Sequence, residues 1–400
     1  MLRELREQLA RADAGDGGVV VVSGEAGVGK TRLVAKFARD AQRRGACVLG
    51  DPAHTSSFPY GPFAAAVEGY VAARPEHERA ALARRYPTLG CLVPSVQIPA
   101  LSLVTDDGSE ATYVRLGTEI ARLLTDVAED QTVVLVLGDL DEAHPSSLGL
   151  LQYLANLARQ RRWLVIATLR DEAMVPGSGA LRMLTLMTYE RLCVHVRLPR
   201  LGREESDRLA RAQLQGRTLD GGFLERMYSR TDGNPLFIEE LAREVAERVP
   251  DVDIALGADH IPNESFRVPP TVRAVVEKAI TPLGSSVRRV LELAAVAGPQ
   301  VPLEDLRTAA AELEPPLGNV ELFDALDRLL STRMMLEDQD AYAIRHALVR
   351  EVLLQDLPQH RRAQLTAALG KTARKRRTRL DTGTRPISWP RVREPEPELH

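Results

Sequence analysis

Residues 18–44 have the sequence GVVVVSGEAGVGKTRLVAKFARDAQRR, and this stretch decides the fold of the chain. Residues 19–22 are four valines, a run typical of a strand that is buried on both faces. Residues 24–31 match the pattern G-x-x-x-x-G-K-[ST] in full, and a helical pattern follows over residues 31–44. A strand, a glycine-rich loop and a helix in this order predict a phosphate-binding loop (P-loop).

The loop supplies the first candidate site. Its glycines let backbone N–H groups surround phosphate oxygens, and the helix that follows adds its positive end. Lys30 is predicted to contact the β- and γ-phosphates of ATP, and Thr31 to offer its hydroxyl to Mg²⁺. The alternative without a binding function is a strand–helix turn with an exposed lysine. The predicted nucleotide-binding residues are Gly24, Glu25, Ala26, Gly27, Val28, Gly29, Lys30 and Thr31.

The rest of the chain divides into an alternating part and a helical part. Short apolar runs at 47–49, 133–137, 164–168 and 194–198 alternate with helical patterns, which predicts a parallel α/β sheet over residues 1–200. After residue 200 the pattern is helical, in two groups at 201–250 and 265–370, with one helix expected over 345–370. Residues 371–400 are basic and then rich in Pro, Arg and Glu, which predicts a disordered tail.

Composition limits the class of protein. The 400 residues are 44% hydrophobic and 27% charged, which excludes wholesale disorder, and a net charge of −3 gives no whole-chain reason to bind nucleic acid. The apolar runs are shorter than the roughly 20 residues of a membrane span, and the first residues lack a signal-peptide core. Three scattered cysteines without metal-ligand spacing favour a reducing compartment. We therefore expect a cytoplasmic protein without membrane association.

A carboxylate is needed at a neighbouring strand end to hold the Mg²⁺ shell of a P-loop NTPase. The strand at 133–137 is followed by Gly138 and then Asp139. Adjacent residues of a strand point to opposite faces, so Asp139 can replace an acid at 138 only after a backbone shift. Asp139 is the candidate metal ligand and catalytic acid, and a solvated cap at the strand end is the alternative.

Two further residues lie where a nucleotide could meet the sheet and the helices. Arg170 follows the strand at 164–168, and ligands of α/β sheets bind beyond the carboxyl ends of strands. It is predicted to sense the γ-phosphate, with a surface salt bridge to Asp171 or Glu172 as the alternative. Pro235 opens a helix after a turn, where a rigid ring could pack on a nucleobase or merely form the turn.

The order of several motifs resembles one family. SGEAGVGKTRLV, VVLVLGDLDEAHPSSLGLLQYLA, LVIATLRDE, DGNPLFIEEL and IRHALVREVLLQDLP follow one another within residues 2–370. This series is similar to the ATP-binding region of the large LuxR-type transcriptional regulators, which are similar to the maltose regulator of enteric bacteria. Those proteins belong to the STAND class of AAA-related ATPases. The resemblance implies an ATP- or ADP-dependent switch with an unknown effector and possible self-association.

The resemblance also implies roles for single residues and a domain order. It makes Asp139 the second acid of a strand-end pair, Arg170 the sensor arginine and Pro235 the proline that touches adenine. His346 resembles a histidine that contacts nucleotide, although a core or interdomain histidine is the alternative. The implied domains are a P-loop domain at 1–200, a helical lid at 201–250 and a winged-helix-like domain at 265–370.

Two departures from the family pattern shape the expected function. Gly138 stands where the family has its Mg²⁺-coordinating Asp, so we expect weak or absent hydrolysis, with a competent ATPase as the alternative. No recognition helix is predicted after residue 370, so we expect a module without the C-terminal helix-turn-helix of the regulators. Basic tail residues could contact DNA only without sequence specificity, so DNA binding by this chain is not expected. These residues are Lys371, Arg374, Lys375, Arg376, Arg377 and Arg379.

Overall fold

The structure is a computed structural model that describes residues 1–53, 59–88, 110–250, 255–261 and 268–381. Its first half contains a five-stranded, wholly parallel sheet with the strand order β2-β3-β4-β1-β5. The predicted α/β fold with a P-loop after its first strand is confirmed. The strands are β1 (Gly18–Gly24), β2 (Cys47–Leu49), β3 (Val133–Leu137), β4 (Trp163–Arg170) and β5 (Cys193–Arg197).

Both faces of the sheet are covered by helices, which explains the continuous valine run. Val19 and Val21 lie in one hydrophobic core, whereas Val20 and Val22 lie in another on the opposite face. Strand side chains alternate between faces, so a strand buried on both sides needs apolar residues at every position. The helices of this part are α1 (Leu2–Asp13), α2 (Lys30–Arg43), α3 (Gly61–Ala72), α4 (Glu76–Arg85), α5 (Glu110–Val127), α6 (Pro145–Ala158) and α7 (Gly179–Tyr189).

The second half is mainly helical. Three helices, α8 (Arg203–Gln213), α9 (Gly221–Thr231) and α10 (Pro235–Arg248), enclose a small core of their own. The remaining helices share a larger core with a three-stranded antiparallel sheet. These elements are α11 (Pro270–Ile280), α12 (Ser285–Ala297), β6 (Val301–Pro302), α13 (Leu303–Ala311), α14 (Asn319–Ser331), β7 (Met335–Asp338), β8 (Ala341–Ile344), α15 (Ala347–Asp356) and α16 (Gln359–Asp381).

Helices α12, α13 and α14 followed by the β7–β8 hairpin form the arrangement of a winged helix. The lid and winged-helix boundaries at 201–250 and 265–370 remain predictions. One buried ion pair crosses between the two helical groups. Nε of Arg230 on α9 donates to Oε1 of Glu351 on α15 at 3.1 Å, with side-chain exposures of 11% and 4%.

The prediction of a single helix over 345–370 was wrong. The structure breaks this segment into α15 and α16 at Leu357–Pro358. Leu357 is extended, with φ −70° and ψ 120°, because the proline ring excludes the helical conformation from the residue before it. Helix α16 then continues to Asp381, into the segment predicted as a tail, and residues 382–400 lie outside the described residues. In the part of the chain that the structure describes, no helix has the length and apolarity to cross a membrane.

Candidate functional site

The P-loop joins the carboxyl end of β1 to α2 and leaves several backbone donors free. Gly27 and Gly29 have φ of 77° and 103°, a region in which side-chain-bearing residues are strained. Within the described residues, the N–H groups of Gly29, Lys30 and Thr31 have no hydrogen-bond acceptor. Unpaired N–H groups at the start of a helix form an anion-binding surface. The local geometry is therefore that of a phosphate cradle.

Lys30 lies buried beneath this cradle, with 6% of its surface exposed. Its Nζ donates to the carbonyl oxygen of Gly24 at 2.7 Å and to that of Glu25 at 2.9 Å. Burial lowers the pKa of Lys30, while four nearby acids act in the opposite direction and favour the charged form. In descending order of influence these acids are Glu172, Asp139, Asp141 and Asp171. The Lys30 ammonium, which is held by carbonyl oxygens and lies near carboxylates, can therefore bind a phosphate group at the loop.

Thr31 and Asp139 fit the requirements for a Mg²⁺ ion. Thr31 is exposed, and its hydroxyl makes no hydrogen bond to any residue that the structure describes. Among those residues Asp139 forms no salt bridge, although Lys30 lies within electrostatic reach, and it accepts only a long contact of 3.4 Å from the Thr168 hydroxyl. Mg²⁺ is usually held by one or two protein oxygens together with phosphates and water. The two side chains would hold such an ion, which would supply positive charge opposite the phosphates.

The backbone shift that the sequence argument requires is present at Asp139. This residue has φ 39°, in the left-handed region that aspartate tolerates better than most residues. Its N–H donates to the Thr168 hydroxyl at 2.8 Å, which ties the turn to the end of β4. The turn therefore redirects the chain directly after β3.

Arg170 lies at the predicted place but is engaged by acids. It is the last residue of β4 and is paired in register with Gly24, the first residue of the P-loop. Its backbone N–H and Nε donate to the Asp141 carboxylate at 3.0 and 2.7 Å, and its guanidinium also contacts Glu142. Asp141 is only 1% exposed, so it forms a buried ion pair rather than a solvated cap. The alternative that paired Arg170 with Asp171 or Glu172 was wrong, and phosphate sensing by Arg170 stays a prediction.

The turn before α10 packs on the P-loop. Nδ2 of Asn234 donates to the Ala26 carbonyl at 3.0 Å, and the Leu236 N–H approaches the Gly27 carbonyl at 3.4 Å. A Cβ at Gly27 would meet Leu236 at 2.9 Å, so only glycine permits this approach. Pro235, between them, is half-buried at the first position of α10. Its contact with adenine stays a prediction.

Arg200 is the centre of a charged cluster that joins all three parts of the chain. We call Glu25, Arg200, Asp232, Arg345 and His346 the Arg200 cluster. Nε of Arg200 donates to the Glu25 carboxylate at 2.8 Å, and Nη1 donates to Oδ2 of Asp232 at 2.6 Å. The same Nη1 lies 2.8 Å from Nδ1 of His346. Arg345 adds weaker contacts to Asp232 and Glu25 at 3.5 and 3.9 Å.

His346 is held neutral within this cluster. It directly precedes α15, it is 7% exposed, and its ring meets Phe237 edge-on at 6.4 Å between centroids. Burial, followed by the positive charges of Arg200 and Arg345, lowers the pKa of His346 to about 2. Because a guanidinium can only donate, the contact with Arg200 requires a neutral imidazole that accepts. His346 thus lies between Arg200, which follows β5, and Phe237 of α10, and its contact with nucleotide stays a prediction.

Acidification is expected to destabilise the fold through His346. A histidine with a depressed pKa contributes fully above its unfolded pKa of 6.5, and this contribution falls as the pH drops toward 2. Between pH 7.5 and pH 5.5 the loss is about 1.4 kcal/mol for this single group. Urea unfolding at both pH values measures this loss in the free energy of unfolding. In His346→Gln the free energy of unfolding should fall much less between the two pH values. An equal loss in the variant would contradict this assignment.

Glu172 reaches the P-loop from the end of β4. Its Oε1 accepts a hydrogen bond from the Ala26 N–H at 3.0 Å, and its Oε2 is buried without a partner among the described residues. Burial raises the pKa of Glu172, and the Ala26 N–H and Lys30 act in the opposite direction. The residue borders a cavity of about 30 Å³ that Arg200 and His346 also line. An anionic side chain therefore already occupies one donor of the cradle.

Strand order, loop geometry and the buried lysine define the class: this chain has a P-loop NTPase fold. Residues 1–166 match the family described as the AAA ATPase domain. The fold is similar to that of a Walker-type ATPase of Pyrococcus abyssi, at 15% identity and a TM-score of 0.55, with 88% of this chain and 94% of that chain covered.

Two other similarities are more limited. An uncharacterized protein of Rhizobium meliloti (strain 1021) is 27% identical in an alignment of 369 residues that covers 85% of this chain. The chain spans about a third (33%) of the length of that relative. A STAND protein with a tetratricopeptide repeat sensor from Pyrococcus horikoshii aligns over 94% of this chain and 46% of its own, at 16% identity and a TM-score of 0.33, which supports no conclusion.

Sequence reasoning missed three residues of this site. Arg200 follows β5 without any motif, and Asn234 was passed over in favour of its neighbour Pro235. Glu172 was considered only as a salt-bridge partner of Arg170. All three contact the P-loop from positions more than 140 residues away in the sequence, so no local spacing predicts these contacts. The asparagine alone had a local signal, since it caps α10 through the Leu236 N–H at 3.1 Å.

Proposed function

We propose that this chain is an ATP- and ADP-binding switch module of the STAND type, working within a LuxR-type transcriptional regulator. The observation that carries this proposal is the Arg200 cluster. It connects Glu25 of the P-loop with Asp232 before α10 and His346 before α15. The motif series described above supplies the family, and the AAA ATPase match over residues 1–166 supports nucleotide binding.

The cluster gives the proposed switch a physical basis. A ligand shifts an equilibrium between two arrangements only through different contacts with each. Here the P-loop belongs to the same charge network that holds the helical parts against the sheet, so a polyanion at the loop changes the free energy of that network. Arg200, which is paired with Glu25, and Lys30, which is held by loop carbonyls, are two cations that a bound polyanion could engage at the loop. Nucleotide binding and the packing of the helical parts are then linked.

Titration calorimetry with ATP and ADP, with and without Mg²⁺, tests this function. We expect dissociation constants on the order of micromolar, about −8 kcal/mol, for both nucleotides. Light scattering in the same samples tests the proposed self-association. Absence of heat with both nucleotides, together with unchanged thermal unfolding, would reject the proposal.

Competent ATP hydrolysis is the second candidate, and it is favoured by the carboxylate of Asp139, which forms no salt bridge among the described residues and accepts only a long contact from Thr168. Glu142 is less available, because Arg170 contacts it and Nζ of Lys278 on α11 lies 2.5 Å from its Oε1. In this function Asp139 would hold the metal, while Thr31 and the loop would position the phosphates. The Asp139→Ala substitution should then abolish any phosphate release that the chain shows.

Restoring an acid at position 138 is expected to raise ATP turnover. Gly138 directly follows β3, its φ is not positive, and it borders a cavity of about 740 Å³ among the described residues, so an aspartate has room. We expect Gly138→Asp to raise kcat by about tenfold, which corresponds to about 1.4 kcal/mol of barrier. Phosphate release measures the effect. The matched control is Gly149→Asp on α6, where an added Cβ meets nothing within 4 Å, and equal turnover in both variants would count against the prediction.

A further inference from the structure

The P-loop donors are not all equivalent in this structure. The N–H groups at the start of α2 are free, whereas the Ala26 N–H at the other end of the loop is taken by Glu172 at 3.0 Å. Strand pairing places Glu172 beside the P-loop, because β4 and β1 are paired in register as far as Arg170 and Gly24. The carboxylate and a phosphate oxygen are both anionic acceptors, so both suit the same donor.

The surroundings leave little room for a second anion beside Glu172. The adjoining cavity measures about 30 Å³, which is space for about one water molecule. Arg200 borders the same cavity, but it is already paired with Glu25. The buried Oε2 of Glu172 has no hydrogen-bond partner among the described residues, and an unpaired buried polar atom is costly. At the P-loop the side chain is held by the Ala26 N–H alone, since its other hydrogen bond is to its own backbone, so it can be displaced from the loop.

We propose that Glu172 competes with the terminal phosphate of ATP for the Ala26 N–H and so sets the preference of the P-loop between ATP and ADP. This inference rests on the proposed nucleotide binding. A diphosphate can use Lys30 and the free donors at the start of α2 while Glu172 stays in place. A triphosphate brings one more anionic group to the same loop, and Glu172 must leave. Glu172 thus weakens ATP binding relative to ADP binding.

Calorimetric titration of Glu172→Ala and Glu172→Gln with MgATP and MgADP tests the proposal. Removing a charged hydrogen-bonded competitor is expected to tighten ATP binding by about tenfold in the alanine variant and to change ADP binding by less than about twofold. The glutamine variant should gain less, because its amide oxygen still accepts from Ala26 but carries no charge. Glu129→Gln, an exposed residue after α5, is the control for net charge.

An unchanged ratio of ATP to ADP affinity in both Glu172 variants would overturn the proposal, as would weaker ATP binding in both. If the alanine variant binds ATP and the wild type does not, competition is supported in its strongest form. If neither protein binds either nucleotide while both remain folded, the proposed function fails and the competition fails with it.

Hydrogen exchange provides a readout that needs no nucleotide. In nucleotide-free protein, the backbone amides of residues 24–31 should exchange faster in Glu172→Ala than in the wild type, whereas Glu172→Gln should stay near the wild-type rate. Mass spectrometry of the corresponding peptide measures these rates. Equal exchange in all three proteins would show that Glu172 does not hold Ala26 and would overturn the competition even where nucleotide binding itself is intact.

Discussion

Replacing Lys30 by alanine is expected to weaken the binding of ATP and ADP by about 100-fold, the size of two charge-assisted hydrogen bonds. Lys30 is the buried cation of the P-loop, and four acids lie within electrostatic reach of it. Without its ammonium the same space would carry only negative side chains. An incoming phosphate would then be repelled by carboxylates that Lys30 now compensates.

The control for this prediction lies on the same helix. Lys36→Ala removes an equal charge from an exposed position of α2, so nucleotide affinity should stay within about twofold of the wild type. Calorimetry on both variants, with circular dichroism to verify folding, makes the comparison. If Lys30→Ala binds nucleotide as tightly as Lys36→Ala, the loop is not the binding site and the proposed function is wrong.

Replacing Arg200 by alanine is expected to be strongly destabilising. Its side chain is 10% exposed and its partner Glu25 is 13% exposed, so the substitution leaves a carboxylate buried and poorly compensated. Removing one member of a buried ion pair costs about 3 kcal/mol. We also expect the helical parts to lose their attachment to the P-loop, because Arg200 contacts Asp232 and His346 as well.

The matched substitution is Arg203→Ala, three residues later. Arg203 pairs with Glu225, but the side chains are 44% and 58% exposed, so the substitution should cost far less stability than Arg200→Ala. Thermal unfolding and limited proteolysis of residues 198–202 distinguish the two variants. Similar melting temperatures and cleavage rates for both would mean that the Arg200 cluster contributes no more than a surface salt bridge.

Local chemistry made the P-loop and the sheet predictable. The valine run, the glycines and the lysine specify strand, loop and helix within 27 consecutive residues, and the alternation that follows implies a parallel sheet. No helix was predicted between the strands at 164–168 and 194–198, where α7 lies, because its sequence GALRMLTLMTY is apolar on most sides and lacks a clear polar face. Pro358 is a local signal for a helix break, but the helical periodicity on both sides of it led to the prediction of one continuous helix.

The charged contacts of the site were less predictable for a different reason. The partners of Arg170 are Asp141 and Glu142 on the turn after β3, and they are brought together only by the pairing of β3 with β4. Arg200 likewise meets Glu25 and His346 through the packing of three separate segments. Strand order and helix packing decide such contacts, and a single sequence without a known strand order contains no spacing from which to derive them.

The ion pair between Arg230 and Glu351 has a mechanical consequence. Separating these two buried charges would cost several kcal/mol per ion, so α9 and α15 are expected to rotate as one rigid arm. The chain enters that arm through residues 198–202, which run from β5 to α8 without helix or strand. This short segment is the natural pivot for any swing of the arm away from the sheet. This segment contains Arg200, so the residue that holds α9 and α15 against the P-loop also lies in the segment about which they would rotate.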